Sequence, residues 1–169
     1  METGKPATVH YAKTVVGAFT IKGELITHLK LQKILYFIQG WHLAYFNSDP
    51  FNEAPEAWIH GPVYVSAYQE YRKFGFNPIT IELPEEVVLE QLLLELPEGK
   101  NDNILEFLTE LLDHYGSKSA FELELITHNQ DPWVNARKGC GPGDRSTKVM
   151  DLTEIHRYFK AQLEPLNAS

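Results

Sequence analysis

Seven histidines and one cysteine are the residues of this chain best suited to acid–base, metal or nucleophilic chemistry. Three of the histidines are candidates for such chemistry, and His60 lies at a predicted strand-to-helix junction, where side chains often point into a cleft. His42 lies inside an apolar run, His60 precedes Gly61-Pro62, and His128 lies just before Asp131-Pro132-Trp133. Beside a carboxylate, such histidines could act as general bases in a hydrolase. Structural roles compete with this one, and we favour them for two: His42 buried and hydrogen-bonded to backbone, and His128 capping helix carbonyls.

The partners that such chemistry needs are missing from the sequence. No histidine pair has the His-Glu-x-x-His spacing of zinc peptidases, and the chain has no Gly-x-Ser-x-Gly nucleophile elbow. Residues 139–147 (GCGPGDRST) lack the Gly-x4-Gly-Lys-Ser/Thr spacing of a phosphate loop, so we predict a flexible surface loop there. Cys140 has basic neighbours, but nothing pairs it with a base. We predict no catalytic residue, no metal and no cofactor, with a hydrolase using His42, His60 or His128 as an alternative.

The run LKLQKILYFIQGWHLAYF, residues 29–46, predicts the helix that organises the fold. Apolar residues fill one broad face at helical spacing, and further apolar residues occupy the opposite side. A helix that is apolar most of the way round is usually buried. It is too short and too polar to span a membrane. Because glycine is unfavourable inside a helix, Gly40 predicts that another backbone approaches closely at that edge.

The rest of the sequence predicts a mainly α (α+β) fold, with about seven helices around this buried central helix and two or three short strands. Thr27 is expected to cap the central helix, and Ser119 with Glu122 fits a capping box. The predicted flanking helices are 9–22, one opened by Gly61-Pro62 and ended by Gly75, 84–96, 103–115, 119–127, 131–138 and 151–163. The predicted strands are 56–60, 79–81 and 148–150.

Length and composition bound the class of protein. The 169 residues, 43% of them hydrophobic, suit one domain spanning 1–169 with its core at about 9–163. With no signal peptide and no 18-residue apolar run, we expect a cytoplasmic location.

The charge is unevenly spread, since residues 81–131 hold 13 of the 23 acidic residues against Lys100 and Lys118. We favour solvated outer helix faces as the reason, and a surface that meets a basic partner is the alternative. Nucleic-acid binding through this half is not expected, because phosphate contacts need Lys and Arg.

Three segments share a distinctive order and spacing: residues 31–41 (LQKILYFIQGW), 57–63 (AWIHGPV) and 127–133 (THNQDPW). Together they resemble the Panacea domain, also called the SocA-like domain, within a similarity that runs from about Tyr11 to Phe159. The positions that carry the resemblance are Lys33, Tyr36, Gln39, Gly40, Trp41, Trp58, His60, Gly61, Pro62, Thr127, His128, Pro132 and Trp133.

The resemblance implies an antitoxin of a bacterial or prophage toxin–antitoxin pair that neutralises its toxin by direct protein binding. The toxin would be encoded by the adjacent gene. An alternative action in the family is that of an adaptor, which delivers the toxin to a cellular protease. The family has no established catalytic residues. As anchors for the toxin we predict aromatic and polar residues of the kind that dominate binding energies, namely Tyr36, His60, Tyr64, Trp133 and Arg137.

Overall fold

A computed structural model describes residues 4–98 and 101–167, with side chains described as far as residue 163. Lys100 therefore lies outside the described residues. Within them the fold is mainly helical, as predicted, with eight α-helices and one two-stranded sheet. The helices are α1 Ala7–Ile21, α2 His28–Phe46, α3 Val65–Tyr71, α4 Leu89–Leu94, α5 Asp102–Gly116, α6 Ala120–His128, α7 Asp131–Ala136 and α8 Leu152–Asn167. The strands are β1 Glu56–Trp58 and β2 Gly61–Val63, and a 3₁₀ turn, Arg72–Phe74, follows α3.

The central helix is confirmed as the buried axis of the fold. The Thr27 side chain accepts a hydrogen bond from the backbone N–H of Lys30, so the predicted cap is present. The helix ends at Asn47, which takes the left-handed conformation. Helices α1, α3, α5, α6 and α8 and strand β2 all pack against α2. Of the aromatic residues near its end, Tyr45 is exposed, so the apolar face is buried only up to that turn.

The close neighbour of Gly40 is a side chain from another helix. The prediction that a second backbone approaches there is wrong. A Cβ atom at this position would collide with the ring of Phe159 on α8. The Phe159 ring also packs edge-on against Trp41, with centroids 5.1 Å apart. The missing side chain thus lets an aromatic ring of α8 lie directly on the α2 backbone.

The prediction that Gly61-Pro62 opens a helix is wrong, because these residues form β2. Strands β1 and β2 pair antiparallel, with Trp58 opposite Gly61, and residues 59 and 60 form the turn. Gly61 has φ +112°, which suits glycine and not an ordinary helical residue. The predicted third strand is present as a single bridge, in which Val149 pairs with Glu56.

Two further predictions fail in the stretch between α3 and α5. Residues 79–81 form no strand; Ile79 makes one backbone bond, to the carbonyl of Ile26 at 2.8 Å. The helix predicted over 84–96 shrinks to Leu89–Leu94. Glu86 has φ +64°, which interrupts a helix, and the Gln91 side chain accepts from the N–H of Val88 at the true start.

The helix predicted over 131–138 is also shorter, ending at Ala136, and its N-cap is Gln130. The capping box of Ser119 and Glu122 at the start of α6 is confirmed. Eleven of the thirteen acidic side chains in residues 81–131 are exposed, which agrees with solvated outer faces. In the described part of the chain, no helix has the length and apolar character needed to cross a membrane.

Candidate functional site

A cavity of about 590 Å³ opens between α2, the β1–β2 hairpin, the end of α3 and α6. Its walls are mainly apolar and carry three aromatic side chains, Trp58, Tyr68 and Phe76. The Trp58 and Tyr68 rings lie 4.9 Å apart, and the Phe76 side chain is fully exposed at the rim. Cavities of this size commonly hold small ligands or inserted side chains. This cavity, with its rim, is called the hairpin pocket below.

Lys33 lies at the inner end of the hairpin pocket and is completely buried, with 0% of its surface exposed. Its Nζ has no hydrogen-bond partner among the described residues. Burial lowers the pKa of Lys33 to about 8, and the nearby Glu124 carboxylate partly opposes that shift. Gly61 lies against this side chain, because a Cβ there would be 2.8 Å from Lys33 Cε. The absent side chain of Gly61 is what leaves room for the lysine.

Glu124 of α6 links the two histidines at this end of the molecule. His60 Nδ1 lies 2.9 Å from Glu124 Oε1, and His128 Nε2 lies 3.7 Å from the same oxygen. The His128 ring stacks on Trp133 with centroids 4.1 Å apart. It does not cap the helix as predicted, since the ring lies against Trp133. Burial lowers the pKa of His128.

Helix α7 and the residue that follows it hold the hairpin in place through hydrogen bonds. Trp133 Nε1 donates to the carbonyl of Trp58 at 2.9 Å, and Arg137 Nη1 donates to the carbonyl of Ala57, also at 2.9 Å. The other Arg137 nitrogen, Nη2, donates to the carbonyl of Asp144 and so ties down the 139–147 loop. The guanidinium also lies over the Trp133 ring, 5.1 Å from its centroid. Segment 127–133, through Trp133, therefore fixes the position of segment 57–63.

Segment 31–41 makes buried polar contacts through Tyr36 and Gln39. The Tyr36 hydroxyl donates to Gln130 Oε1 at 2.7 Å, and the Tyr64 hydroxyl donates to Gln39 Oε1 at 2.6 Å. Gln39 Nε2 in turn donates to the carboxylate of Asp49 at 2.9 Å. A buried hydroxyl without a partner is costly, so these matched pairs fix α2 against its neighbours.

Some of the predicted anchor residues are buried, and others lie at the surface. Tyr36, Tyr64 and Arg137 are buried among the contacts above, so in this conformation a partner cannot reach them. His60 has 66% of its side chain exposed, and Trp133 is half-buried. These two remain available at the surface.

His42 lies outside the hairpin pocket. It is nine residues beyond Lys33 on α2, which is about 13 Å along the helix axis. As expected, it is buried and donates to backbone, from Nδ1 to the Ser48 carbonyl at 2.8 Å. Its Nε2 contacts Glu98 Oε2 at 3.0 Å, which was not predicted. The three candidate histidines therefore do not form one site.

Sequence reasoning missed several pocket residues, chiefly Tyr68, Arg72, Phe76 and Glu124. Tyr68 belongs to a series of aromatic residues at helical spacing with Tyr64 and Tyr71, a pattern that is typical of core residues. Phe76 did carry a signal: it follows Gly75 at a helix end and precedes Asn77-Pro78, where a large aromatic side chain has no helical face to join.

The pocket lining offers apolar, aromatic and charged contacts to a ligand. Within the described residues no Ser, Thr or Cys side chain lines the pocket, and the nearby Thr127 hydroxyl donates to the Glu124 carbonyl at 2.9 Å. Cys140 is exposed in the 139–147 loop and is not a pocket residue. No three His, Cys, Asp or Glu side chains group as metal ligands within residues 4–98 and 101–163. An apolar cavity with an aromatic rim and a buried cation suits a protein that binds.

This mainly helical scaffold carries an apolar pocket with an aromatic rim. The family described as "Antitoxin SocA-like, Panacea domain" matches residues 31–134, and the chain belongs to this family. Among curated proteins it is similar to Antitoxin SocA of Caulobacter vibrioides (strain NA1000 / CB15N), with 29% identity over 117 residues. The alignment covers 69% of this chain and 62% of that protein's length. No solved structure matches the chain.

Proposed function

We propose that this protein is an antitoxin that neutralises its toxin by direct binding through the hairpin pocket and its rim. Membership of an antitoxin-like family supports the general role. The observation that carries the choice of surface is the exposed aromatic group beside a deep cavity: Phe76 is fully exposed, Tyr68 is exposed and Trp58 is half-buried. Exposed apolar patches of this kind mark interaction sites, and aromatic anchors contribute most of the energy there.

The hydrogen bonds that hold the hairpin in place support the choice of the same surface. Trp58 is held by the Trp133 bond to its carbonyl, and its own Nε1 donates to Glu56 Oε2 at 2.6 Å. A rigid aromatic side chain loses little conformational entropy when a partner binds it. His60, at the tip of the same hairpin, adds an exposed polar group at the rim.

Co-expression with the product of the adjacent gene tests the proposal. We expect growth to be arrested by that product alone and restored by this protein. Phe76→Ser should abolish the rescue, whereas Phe121→Ser should preserve it, because Phe121 is also exposed but does not line the pocket. Equal growth with and without this protein would contradict the antitoxin role. Equal loss of rescue in both variants would contradict the choice of surface.

The toxin's lifetime separates direct neutralisation from the adaptor alternative. Direct binding predicts co-purification of the two proteins and an unchanged toxin half-life. A toxin half-life that shortens only when a protease is present would instead identify an adaptor.

One contact favours the hydrolase alternative, namely the 2.9 Å contact between His60 and Glu124, which resembles an oriented base. The variant His60→Ala addresses it. Full retention of neutralisation by this variant favours binding over chemistry. Loss of neutralisation without loss of toxin binding would favour chemistry.

A further inference from the structure

Lys33 is a buried cation for which the described residues supply no anion. Its Nζ makes no hydrogen bond, and no carboxylate of the described residues lies within 4 Å. Lysine is almost never fully buried unless it is paired. Removing an ammonium from water costs several kcal/mol, which only an opposite charge or hydrogen bonds can offset. The fold therefore keeps an unfavourable group at the inner end of a cavity.

The one acidic side chain lining the pocket is engaged elsewhere. Glu124 Oε1 faces the two ring nitrogens of His60 and His128. Thr127 Oγ1 lies near Lys33, but it donates its hydrogen to the Glu124 carbonyl. The other charged or titratable groups lining the pocket are His28, Tyr68 and Arg72. None of them carries a carboxylate that could pair with the lysine.

The side chains that line the pocket determine which kind of ligand fits it. Leu29, Trp58, Val63, Tyr68 and Phe76 give the pocket an apolar lining with aromatic faces. Its volume of about 590 Å³ exceeds what a single ion or a few waters require. A bare inorganic anion would leave these walls without contact.

We propose that the hairpin pocket binds an organic carboxylate carried on an apolar body, with Lys33 as the counter-ion of the carboxylate group. Lys33 lines the pocket and is fully buried, so its ammonium turns toward the ligand on the four-carbon stem of the side chain. A phosphate dianion suits this site less well, because it asks for more donors than one ammonium provides and because Glu124 on the wall repels a double negative charge more strongly than a single one. The proposal concerns the isolated protein and does not depend on toxin neutralisation.

Two sources can supply this chemistry: a free small carboxylic acid, or the C-terminal carboxylate of a polypeptide with an apolar last residue. Isothermal titration of the purified full chain at pH 7 separates them. The probes are 3-phenylpropionate and its amide, and a short peptide ending in Phe as the free acid and as the amide. We expect at least one acid to bind, and to bind at least tenfold more tightly than its own amide. Tighter binding of the peptide acid would point to a chain terminus, and tighter binding of 3-phenylpropionate to a free metabolite.

The variant Lys33→Met provides the matched control in the protein. It should reduce the affinity for the bound acid at least tenfold and leave the affinity for the amide unchanged. The comparison of acid with amide on the unaltered protein needs no variant, so it decides the matter even if Lys33→Met misfolds. The proposal is overturned if no probe binds up to about 1 mM, if acid and amide bind equally, or if a folded Lys33→Met retains full affinity for the acid.

Discussion

Replacing Lys33 by methionine should stabilise the empty protein at neutral pH. The side chains are of similar length, and methionine carries no charge to desolvate. Burial lowers the pKa of Lys33 from 10.5 to about 8. Each tenfold loss in proton affinity corresponds to about 1.4 kcal/mol, so at pH 7 the charged lysine costs the fold about 3 kcal/mol.

The pH dependence distinguishes this charge effect from a change in packing. Between pH 8 and 10.5 the unfolded chain keeps the Lys33 proton while the folded chain has lost it. The unfolded state then binds more protons, so the stability of the original protein rises with pH in this window. The advantage of Lys33→Met should fall from about 3 kcal/mol at pH 7 to about 1 kcal/mol at pH 9.5. Any effect of the methionine on packing stays constant across this range.

The assay is urea unfolding followed by circular dichroism at pH 7 and 9.5, with both chains compared at each pH. This comparison cancels the titration of buried tyrosines such as Tyr11 and Tyr64, whose pKa values burial raises. Lys13→Met serves as the control, because Lys13 is exposed on α1. A Lys33→Met advantage that is the same at both pH values would refute the reasoning, as would a variant less stable than the original protein at pH 7.

Three further variants test contacts that hold the pocket in place. Gly40→Ala forces a methyl group into the Phe159 ring and should lower the free energy of unfolding by about 1–3 kcal/mol, whereas Gly143→Ala, with open space around it, should be neutral in the same urea titration. Gln130→Leu leaves the buried Tyr36 hydroxyl without its acceptor and should cost about 1–3 kcal/mol; an unchanged urea midpoint would show that the bond contributes nothing. Ser119→Ala removes the cap of α6 and should cost about 1 kcal/mol, detectable as a lower thermal midpoint, while Ser119→Asp should retain most of the stability.

The elements that the sequence predicted well carry local signals. The 29–46 run is so rich in apolar residues that burial follows wherever the helix lies, and Thr27 marks its start within one turn. The capping box of Ser119 and Glu122 is equally local, since both of its hydrogen bonds join residues three apart. Such features do not depend on which other elements pack nearby.

The features that failed depend on distant residues. Gly61-Pro62 is typical of a helix start, but pairing with β1 and the proximity of Lys33 decide its conformation. Aromatic type cannot separate a core tyrosine from an anchor, because both burial and binding favour large rings. Tyr64 has its hydroxyl bonded to Gln39 inside the core, while Phe76 lies in solvent. The missing partner of Lys33 is likewise a property of the folded surroundings and has no sequence signal.

Backbone hydrogen bonds join the hairpin to residues 148–150. These bonds determine when the hairpin can reach its final position during translation. Residues 55 and 57 share backbone bonds with residues much later in the chain: Met150 N–H donates to the Pro55 carbonyl, and Ala57 N–H donates to the Lys148 carbonyl. Helix α8, which closes over Gly40, comes later still. A nascent chain halted at residue 140 would contain every aromatic residue of the pocket but would lack the bonds from residues 148–150 to the hairpin. The hairpin can therefore reach its final position only after residue 150 has been synthesised.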